Sequence, residues 1–418
     1  MENNVVRVGL PVKINSENKG ELEKILSEAN IPDNVSEIVL DASDLEYISS
    51  AGLRTLLAFR QKHEQPICIA DVKPEVYDIF DMTGFSDLFR IEKALRFVDT
   101  DGLDELGRGM YGAVYRIDEE RILKVFYGVN SRQKLEEILH NVRTAFVKGI
   151  PTIMPFDTVK TNAGIGMVFE LLSSDSLADM IHKEPARAEE YVRNMAELAK
   201  KMATTEFEPG TINERAEMLK FELKEAAFLF TEEEINELIK YVDAVPARNT
   251  AVHGDFHARN VYMLDGKALL IDMDDFCLGH PIWDIACLYR VYPYMIGLDA
   301  ETSGQLFGLP PQVSYPDFYY QVMHLTIDEG TDLWQLFLKY YFEGHSEDDV
   351  NAILETAKFY SDFMVIRFLI DQCRKCGDQP DILSVKLGLI RRILSDMRTK
   401  DLGNLIQNLE CGCFASKA

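Results

Sequence analysis

The sequence predicts an α/β protein in two parts, a small α/β domain followed by a larger part in which strands come first and helices later. Three observations support this prediction. Short apolar runs alternate with amphipathic stretches through residues 1–99, which is typical of a small α/β domain. A glycine-rich turn lies between β-branched stretches at the start of the second part. From about residue 300 onward, apolar residues recur at helical spacing.

Length and composition narrow the class of protein. The chain has 418 residues, 47% of them hydrophobic, so it can bury the cores of two or three domains and is not a disordered chain. Its 44 basic and 69 acidic residues give a net charge of −25, which disfavours nucleic acid and anionic membrane surfaces as partners. Solubility alone explains such a charge, and attraction of a cationic small molecule is the alternative.

The lack of recognisable targeting signals and the cysteine usage predict a cytoplasmic protein. The first residues lack a basic stretch before an apolar run, so we expect no signal peptide, and no apolar stretch is long enough to span a bilayer. Seven cysteines, an odd number, favour reduced thiols. Cys373 with Cys376 and Cys411 with Cys413 could together bind zinc. The first pair lies in a helical pattern and the second in a tail of small residues, which argues against a zinc site.

Strands and helices alternate in order through the first part. The predicted elements are a strand at 5–10 continued at 12–14, a helix at 19–29, a strand at 38–40, a helix at 51–63, a strand at 66–70, a helix around 76–80 that ends at Gly84, and a closing segment at 89–97.

Two serines precede the helix at 51–63. An acidic loop leads from Asp44 to Ser49 and Ser50, and Gly52 follows in the helix. A serine at this place caps a helix by accepting backbone N–H bonds, which is the ordinary explanation. The alternative is a phosphorylation switch, because a phosphoryl group is favourable at the positive end of a helix.

With these residues, and with the stretch at 80–85, the first part resembles the STAS domain of anti-sigma-factor antagonists. The resemblance implies a small α/β fold over residues 1–99 and a protein partner, of the anti-sigma type or another. In that family the motif reads Asp-Ser-Ser/Thr-Gly-Leu, and the phosphorylated hydroxyl corresponds to Ser50. Ser49 replaces the family's aspartate and Ala51 its second hydroxyl. Phosphorylation of Ser50 and a plain docking or regulatory role therefore both stay open.

The second part begins with a glycine pattern, G-x-G-x-x-G-x-V. Its four defining residues are Gly107, Gly109, Gly112 and Val114. A Rossmann glycine run would open a helix, but here β-branched and aromatic residues follow, so the pattern predicts a hairpin that lies over phosphates. The next strand carries Lys124 between two apolar residues. This alternation places the lysine on the face opposite them, where it can reach nucleotide phosphates.

A helix and a further strand complete the predicted nucleotide site. The helix carries Glu136 and Glu137, either of which could pair with Lys124, and the spacing favours Glu137. The apolar strand at 166–172 then leads into a polar helix start. By order along the chain this is where a two-lobed kinase has its hinge, so we expect backbone groups around Phe169 and Leu171 to bind adenine.

The strongest constellation lies between residues 253 and 272. Asp255 and Asn260 are five residues apart in a loop, and a short hairpin at 261–271 leads to Asp272. Phosphoryl transfer needs an oriented acceptor and a cation that neutralises the phosphates. The Asp255 carboxylate can meet an acceptor hydroxyl, while Asn260 and Asp272 offer the oxygen ligands that Mg²⁺ prefers. These residues predict a phosphotransferase.

With Gly279-His280-Pro281-x-x-Asp284-Ile285-Ala286, these motifs make the second part resemble the aminoglycoside phosphotransferase and choline kinase family, a branch of the protein-kinase-like fold. The resemblance implies a two-lobed fold, with a β-rich N-lobe at 100–172 and a helical C-lobe at 173–418, and ATP as the phosphate donor. It implies roles for five residues: Asp255 as catalytic base, Asn260 and Asp272 as metal ligands, Lys124 as phosphate ligand, and Asp284 as a brace of the catalytic loop.

Other polar residues carry weaker signals. His253 is expected to orient the loop by hydrogen bonding, and His257 either lines the acceptor site or is a plain loop histidine. Asp274 and Asp275 are expected to be exposed loop acids, with metal or substrate contacts as the alternative. In the helical region, three acids could face a cationic acceptor: Asp328, Glu329 and Asp332.

The sequence therefore predicts an ATP- and Mg²⁺-dependent phosphotransferase that acts on a small-molecule hydroxyl and is regulated or docked through its STAS-like domain. Two alternatives stay open. One is a serine kinase that acts on a STAS serine, either Ser50 in the same chain or the serine of a partner. The other is a non-catalytic signalling protein in which nucleotide binding changes the STAS surface.

Overall fold

The computed structural model describes residues 5–32, 34–109, 112–127, 132–310, 312–375, 380–410 and 412–414. The chain forms two compact units. Met1–Gly102 and Thr158–Gly166 form the first, and Leu103–Asp157 and Met167–Ala418 form the second. The division at residues 99 and 172 stays a prediction.

The first unit is an α/β domain with a parallel sheet. Its elements are β1 (Val5–Gly9), β2 (Lys13–Ile14), α1 (Lys19–Glu28), β3 (Glu37–Asp41), β4 (Tyr47–Ile48), α2 (Ser50–Lys62), β5 (Ile67–Val72), α3 (Pro74–Met82), β6 (Arg90–Lys93) and β7 (Arg96–Val98). The strand order in the main sheet is β1-β3-β5-β6, with parallel neighbours, and Val8, Leu40 and Ile69 lie side by side in register. The predicted α/β fold of this part is confirmed.

One face of this sheet packs against the helices. The apolar residues of α1–α3 recur every three or four positions, so each helix turns one stripe toward the sheet. This core includes Leu22, Leu26, Leu53, Leu56, Phe59, Val76 and Phe80 from the helices, and Val8, Ile38, Leu40, Ile67 and Ile69 from the strands. Glycine is required at position 52, because a Cβ there would come within 2.4 Å of the Ile14 side chain.

The second unit begins with an antiparallel sheet. The next elements along the chain are β8 (Asp104–Arg108), β9 (Gly112–Arg116), β10 (Arg121–Phe126), α4 (Arg132–Val147), β11 (Asp157–Thr161) and β12 (Gly164–Glu170). β9 pairs with β8 on one side and β10 on the other, and the 167–170 end of β12, which belongs to this unit, lies next to β10. Within the first unit, β11 pairs in parallel with β7. The glycine pattern thus opens a strand rather than a helix, as predicted.

The rest of the second unit is mainly helical. Its elements are α5 (Leu177–Lys183), α6 (Ala188–Thr204), α7 (Arg215–Glu225), α8 (Glu232–Asp243), β13 (Thr250–Val252), β14 (Val261–Leu264), β15 (Lys267–Leu270), β16 (Cys277–Gly279), α9 (Ile282–Tyr289), α10 (Ala300–Phe307), α11 (Tyr315–Met323), α12 (Ile327–Tyr341), α13 (Glu347–Lys375), α14 (Pro380–Arg398) and α15 (Leu402–Gln407).

Two small hairpins and a helical core position the loops of this unit. β13 pairs with β16 and β14 with β15, both in antiparallel fashion. α13 packs against α9 and α14, and α12 packs against α6. A π-helical turn at Arg290–Tyr294 continues α9. The order of strands first and helices later is confirmed. Within the described ranges, every helix is too short or too polar to cross a bilayer.

Candidate active site

The loop between β13 and β14 brings Asp255 and Asn260 together. The Asn260 Nδ2 group donates to the Asp255 carbonyl oxygen at 2.9 Å and lies 3.4 Å from Asp255 Oδ2. Asn260 is buried, whereas the Asp255 side chain is 46% exposed. Because Asn260 bonds through Nδ2, its amide oxygen remains available to a metal ion. The exposed carboxylate of Asp255 remains accessible to an acceptor hydroxyl.

Two buried side chains hold this loop in place. Asp284, on α9, accepts the backbone N–H bonds of His253 and Gly254 at 2.9 Å each. His253 Nε2 donates to the Ile271 carbonyl at 2.9 Å, and its Nδ1 accepts from the Asp255 N–H at 3.3 Å. The histidine thus ties the loop to the strand that leads to Asp272. The predicted bracing by Asp284 and hydrogen bonding by His253 are both present.

The β14–β15 hairpin delivers Asp272 beside Lys124. Lys124 Nζ lies 2.7 Å from Asp272 Oδ1 and 2.6 Å from Asp274 Oδ2. Leu123 and Val125 are fully buried on the other face of β10, so the alternation predicted the direction of the lysine correctly. Asp272 has a φ of 57°, a left-handed conformation that costs energy for a residue other than glycine. The end of the hairpin therefore places Asp272 in a strained backbone conformation beside Lys124.

The charges around Lys124 act on each other. Burial lowers the pKa of Lys124, but the charges of Asp272 and Asp274 outweigh burial and raise it above its usual range. Burial and the charge of Asp272 raise the pKa of Asp274 to about 7, while Lys124 opposes the rise. The ammonium group therefore stays charged and is shared by two carboxylates.

The expectation that Asp274 and Asp275 are exposed loop acids is wrong. Both are half-buried, and Asp274 binds Lys124. Asp275 points to two arginines, at 2.8 Å from Arg367 Nη2 and 3.7 Å from Arg215 Nη1. Burial raises the pKa of Asp275, but the charges of these arginines outweigh burial and hold it below its usual range. Their partners lie far away in the sequence, Lys124 on β10 for Asp274 and arginines of α7 and α13 for Asp275, so the local pattern did not indicate them.

The predicted pair of Lys124 with Glu137 is not formed. Glu137 lies 3.3 Å from Lys134 Nζ and accepts a hydrogen bond from Asn213, and Glu136 lies 2.7 Å from Arg132. Neighbours three or four residues away on α4 satisfy these acids. A role of Glu137 in nucleotide binding stays a prediction.

The glycine hairpin closes through its own backbone. The Gly109 N–H donates to the Gly112 carbonyl at 2.8 Å. A Cβ at position 107 would have no neighbour within 4 Å, so Gly107 faces open space. Glycine is required at position 112, because a Cβ there would lie 2.3 Å from the Val125 carbonyl oxygen. Val114 pairs directly with Lys124 across β9 and β10, so the two side chains share a face. Met110 and Tyr111 lie outside the described residues.

The predicted hinge is partly engaged already. Phe169 is half-buried in β12, and the Leu171 N–H donates to the Glu120 carbonyl at 2.7 Å. The Leu171 N–H therefore already has a partner in the turn between β9 and β10, and adenine binding by this segment stays a prediction.

Sequence reasoning missed Arg290 and Cys287, which contact the Asp255 carboxylate together with His257. Arg290 Nη2 lies 3.1 Å from Oδ1 and Cys287 Sγ lies 3.6 Å from it, while His257 Nε2 lies 3.4 Å from Oδ2. Desolvation by the surrounding protein raises the pKa of Asp255, but the charges of His257 and Arg290 outweigh this effect and hold the pKa well below its usual range. The sequence carries no local signal for Arg290, which follows Asp255 by 35 positions.

The donor set fits magnesium bound together with a nucleotide. Asn260 and Asp272 supply hard oxygen atoms, and Asp274 adds another beside them; Mg²⁺ is usually held by one or two carboxylates together with phosphates and water. Over the ranges that the structure describes, no cluster of three or more His, Cys, Asp or Glu residues could hold a metal alone. Of the cysteines considered for zinc, Cys376 and Cys411 lie outside the described residues.

The charges of the helical region are mostly paired or exposed. Glu329 caps α12 through Thr326 and lies 2.9 Å from His182 Nδ1, whereas Asp328 and Asp332 are exposed. Asp255, Asp274 and Asp275 each have a basic partner as given above. A cationic acceptor stays a prediction.

Comparison with known proteins agrees with this geometry. The sequence model of the phosphotransferase enzyme family (APH) matches residues 103–307, and that of the STAS domain matches residues 2–98. A putative anti-sigma factor antagonist, BtrV of Bordetella bronchiseptica, is 35% identical over 81 residues, which are 19% of this chain and 69% of that protein.

Solved structures of low identity were also found. One is a choline/ethanolamine kinase family protein from Mesorhizobium loti, with 14% identity, coverage of 75% of this chain and 94% of that chain, and a TM-score of 0.45. Another is ADP-bound aminoglycoside phosphotransferase APH(2'')-Ib, with 15% identity, coverage of 78% and 98%, and a TM-score of 0.44. From the two family matches, this chain joins an N-terminal STAS domain to a domain of the APH phosphotransferase family.

Proposed function

We propose that the second unit transfers the γ-phosphate of ATP to a hydroxyl group of a small molecule, with Mg²⁺ as cofactor. The observation that carries the proposal is the assembly of Lys124, Asp255, Asn260 and Asp272 around one loop and one hairpin, with Lys124 at 2.7 Å from Asp272. The match to the APH family over 103–307 supports a phosphotransferase.

In this mechanism the acceptor oxygen attacks the γ-phosphorus, the bond from the γ-phosphorus to the bridging oxygen breaks, and ADP leaves. Asp255 orients the acceptor hydroxyl and accepts its proton. Asn260 and Asp272 would hold Mg²⁺, which would neutralise phosphate charge when bound. Lys124 turns its ammonium from the two carboxylates toward the phosphates. We propose that the backbone of Gly107, Gly109 and Gly112 covers the phosphates and that Val114, Phe169, Leu171 and Glu137 border the nucleotide.

The test separates nucleotide binding from transfer. Asp255→Asn removes the proton acceptor and preserves size, so ATP turnover should fall by about 100-fold or more while the Kd for Mg·ATP stays within about 3-fold of wild type. Asp348→Asn, which removes an exposed acid on α13, is the matched control and should behave as wild type. The acceptor panel contains amino alcohols, sugars and hydroxy acids. Full turnover in Asp255→Asn would refute the assigned role.

A second candidate activity is phosphorylation of a STAS serine. Ser49 caps α2, since its side chain accepts the Ala51 N–H at 3.3 Å, and Ser50 stands exposed as the first residue of the helix. The hydroxyl of Ser50 is therefore not the capping group. A single phosphate gained on incubation with Mg·ATP, seen by intact mass in wild type and absent in both Asp255→Asn and Ser50→Ala, would favour this activity.

The role of the first unit is part of the proposal. The match to the STAS domain and to BtrV supports docking of a protein partner, of the anti-sigma type or another, that regulates the transferase. Nucleotide binding that changes partner affinity without any turnover would favour a non-catalytic signalling protein instead. We place all of these activities in the cytoplasm, as the cysteine usage predicts.

A further inference from the structure

Asp255 is held asymmetrically by its neighbours. Oδ1 forms the short contact, 3.1 Å from Arg290 Nη2, and Cys287 Sγ approaches the same atom at 3.6 Å. Among the described residues, Oδ2 has longer contacts, 3.4 Å to His257 Nε2 and 3.4 Å to Asn260 Nδ2. A hydrogen bond weakens with distance, so the guanidinium engages Oδ1 firmly and leaves Oδ2 with free capacity to accept.

Arg290 is presented by an unusual piece of backbone. It is the first residue of the π-helical turn Arg290–Tyr294, which continues α9 and contains Pro293. π turns are rare, and a proline inside a helix removes a backbone hydrogen bond. The same turn supplies Tyr292, whose hydroxyl accepts the Ala258 N–H at 3.1 Å. One turn therefore holds both the Asp255 side chain and the backbone three residues further along the loop.

The Arg290 side chain is mostly buried and ion-paired. Its side chain is 23% exposed, and the negative charge of Asp255 is its ion-pair partner. The bracing residue Asp284 lies on the same helix six positions earlier, with 6% exposure. α9 and its π turn thus act on the catalytic loop at three points: the backbone before Asp255, the carboxylate of Asp255, and the backbone of Ala258.

We propose that Arg290 is the positioning residue for Asp255: by fixing Oδ1 it turns Oδ2 toward the acceptor hydroxyl and makes Oδ2 the atom that receives the proton. This inference rests on the proposed phosphotransferase function. Arg290 acts through the orientation of Asp255 and does not bind nucleotide. Its loss lowers kcat, because a catalytic group displaced by about 1 Å can cost about 100-fold in rate.

The experiment measures kcat for Mg·ATP turnover, with the acceptor from the panel or with water, together with the Kd for Mg·ATP. Arg290→Met should lower kcat by about 10- to 100-fold and leave the Kd within about 3-fold. Arg290→Lys, which keeps a donor and the charge, should recover part of the loss and also covers the case in which the Met variant does not fold. Arg398→Met is the control: it breaks another arginine–carboxylate pair, between Arg398 on α14 and Glu237 on α8, and should leave kcat unchanged.

A double-mutant cycle with Asp255→Asn shows whether Arg290 acts through Asp255. If it does, Arg290→Met should change the residual rate of Asp255→Asn by less than about 3-fold, since groups that act as a unit are not additive. Unchanged kcat in Arg290→Met overturns the inference, as does an equal loss in both backgrounds or a parallel loss of nucleotide affinity. A wild type that binds Mg·ATP and transfers phosphate to nothing, water included, overturns the proposed function and this role with it.

Discussion

Replacing Asp284 by asparagine tests how the catalytic loop is held. The carboxylate is buried, with 6% exposure, and accepts the N–H groups of His253 and Gly254 at 2.9 Å each. An asparagine offers one oxygen, so one N–H loses its acceptor and faces an NH₂ group instead. Leaving a buried donor unsatisfied costs about 1–3 kcal/mol, and the remaining bond loses its charge assistance, about 1 kcal/mol more. Burial raises the pKa of Asp284, which offsets part of this cost. We therefore expect a loss of about 2–3 kcal/mol in the free energy of unfolding.

Urea unfolding followed by tryptophan fluorescence measures this loss directly. The chain has two tryptophans, Trp283 and Trp334, and both lie in the second unit, so the signal reports that unit without the STAS domain. Turnover should fall by about 100-fold, because Asp255 directly follows the freed backbone. The control is Asp348→Asn, an exposed acid on another helix. A change within about 0.5 kcal/mol together with full turnover would refute the reasoning that Asp284 braces the loop.

Three further predictions concern the nucleotide site and pH. Gly112→Ala should weaken Mg·ATP binding by about 10-fold or more in fluorescence titration, because a Cβ would lie 2.3 Å from the Val125 carbonyl, whereas Gly388→Ala on α14, where a Cβ would have nothing within 4 Å, should bind as wild type. Lys124→Met should raise the Kd for Mg·ATP by about 10- to 100-fold, because each lost charge-assisted hydrogen bond to the phosphates costs about one or two kcal/mol or more. An unchanged Kd would show that the lysine does not bind the phosphates. Burial raises the pKa of Asp362 from its ordinary 3.8 to about 6, so the folded protein binds more protons there than the unfolded chain, and stability falls as the pH rises through this range. Asp362→Asn should therefore gain up to about 3 kcal/mol over wild type at pH 8 and nothing at pH 4 in urea unfolding; an equal effect at both pH values would contradict the assignment.

Most of the elements could be predicted from the sequence because short-range patterns specify them. The alternation around Lys124 predicted its face of β10, and the turn residues between β14 and β15 predicted the hairpin that leads to Asp272. Helix capping was the ordinary explanation for the two serines before α2, and the structure assigns the cap to Ser49. Each of these depends on neighbours within about one turn of helix or one hairpin.

The partner of Lys124 could not be predicted in this way. Glu137 was chosen from spacing along the chain, but the acids that bind the lysine follow it by 148 and 150 positions, at Asp272 and Asp274. Similarly, Asp274 and Asp275 are adjacent in the sequence but bind different partners. Asp274 binds Lys124 from the sheet, and Asp275 binds Arg367 from α13, 92 positions further on. Local sequence carries no record of such pairs.

By itself, the sequence determined the two-part α/β architecture, the glycine hairpin, and the identity and order of Lys124, Asp255, Asn260 and Asp272. Only the tertiary structure decided which charges meet: Arg290 on one oxygen of Asp255, and Asp274 on Lys124. The physical reason is that periodicity and turn chemistry act between near neighbours, whereas the strength of an ion pair depends on distance and burial in space. For Arg290 and Asp255, the distance and the burial are set only when α9 and its π turn pack against the catalytic loop.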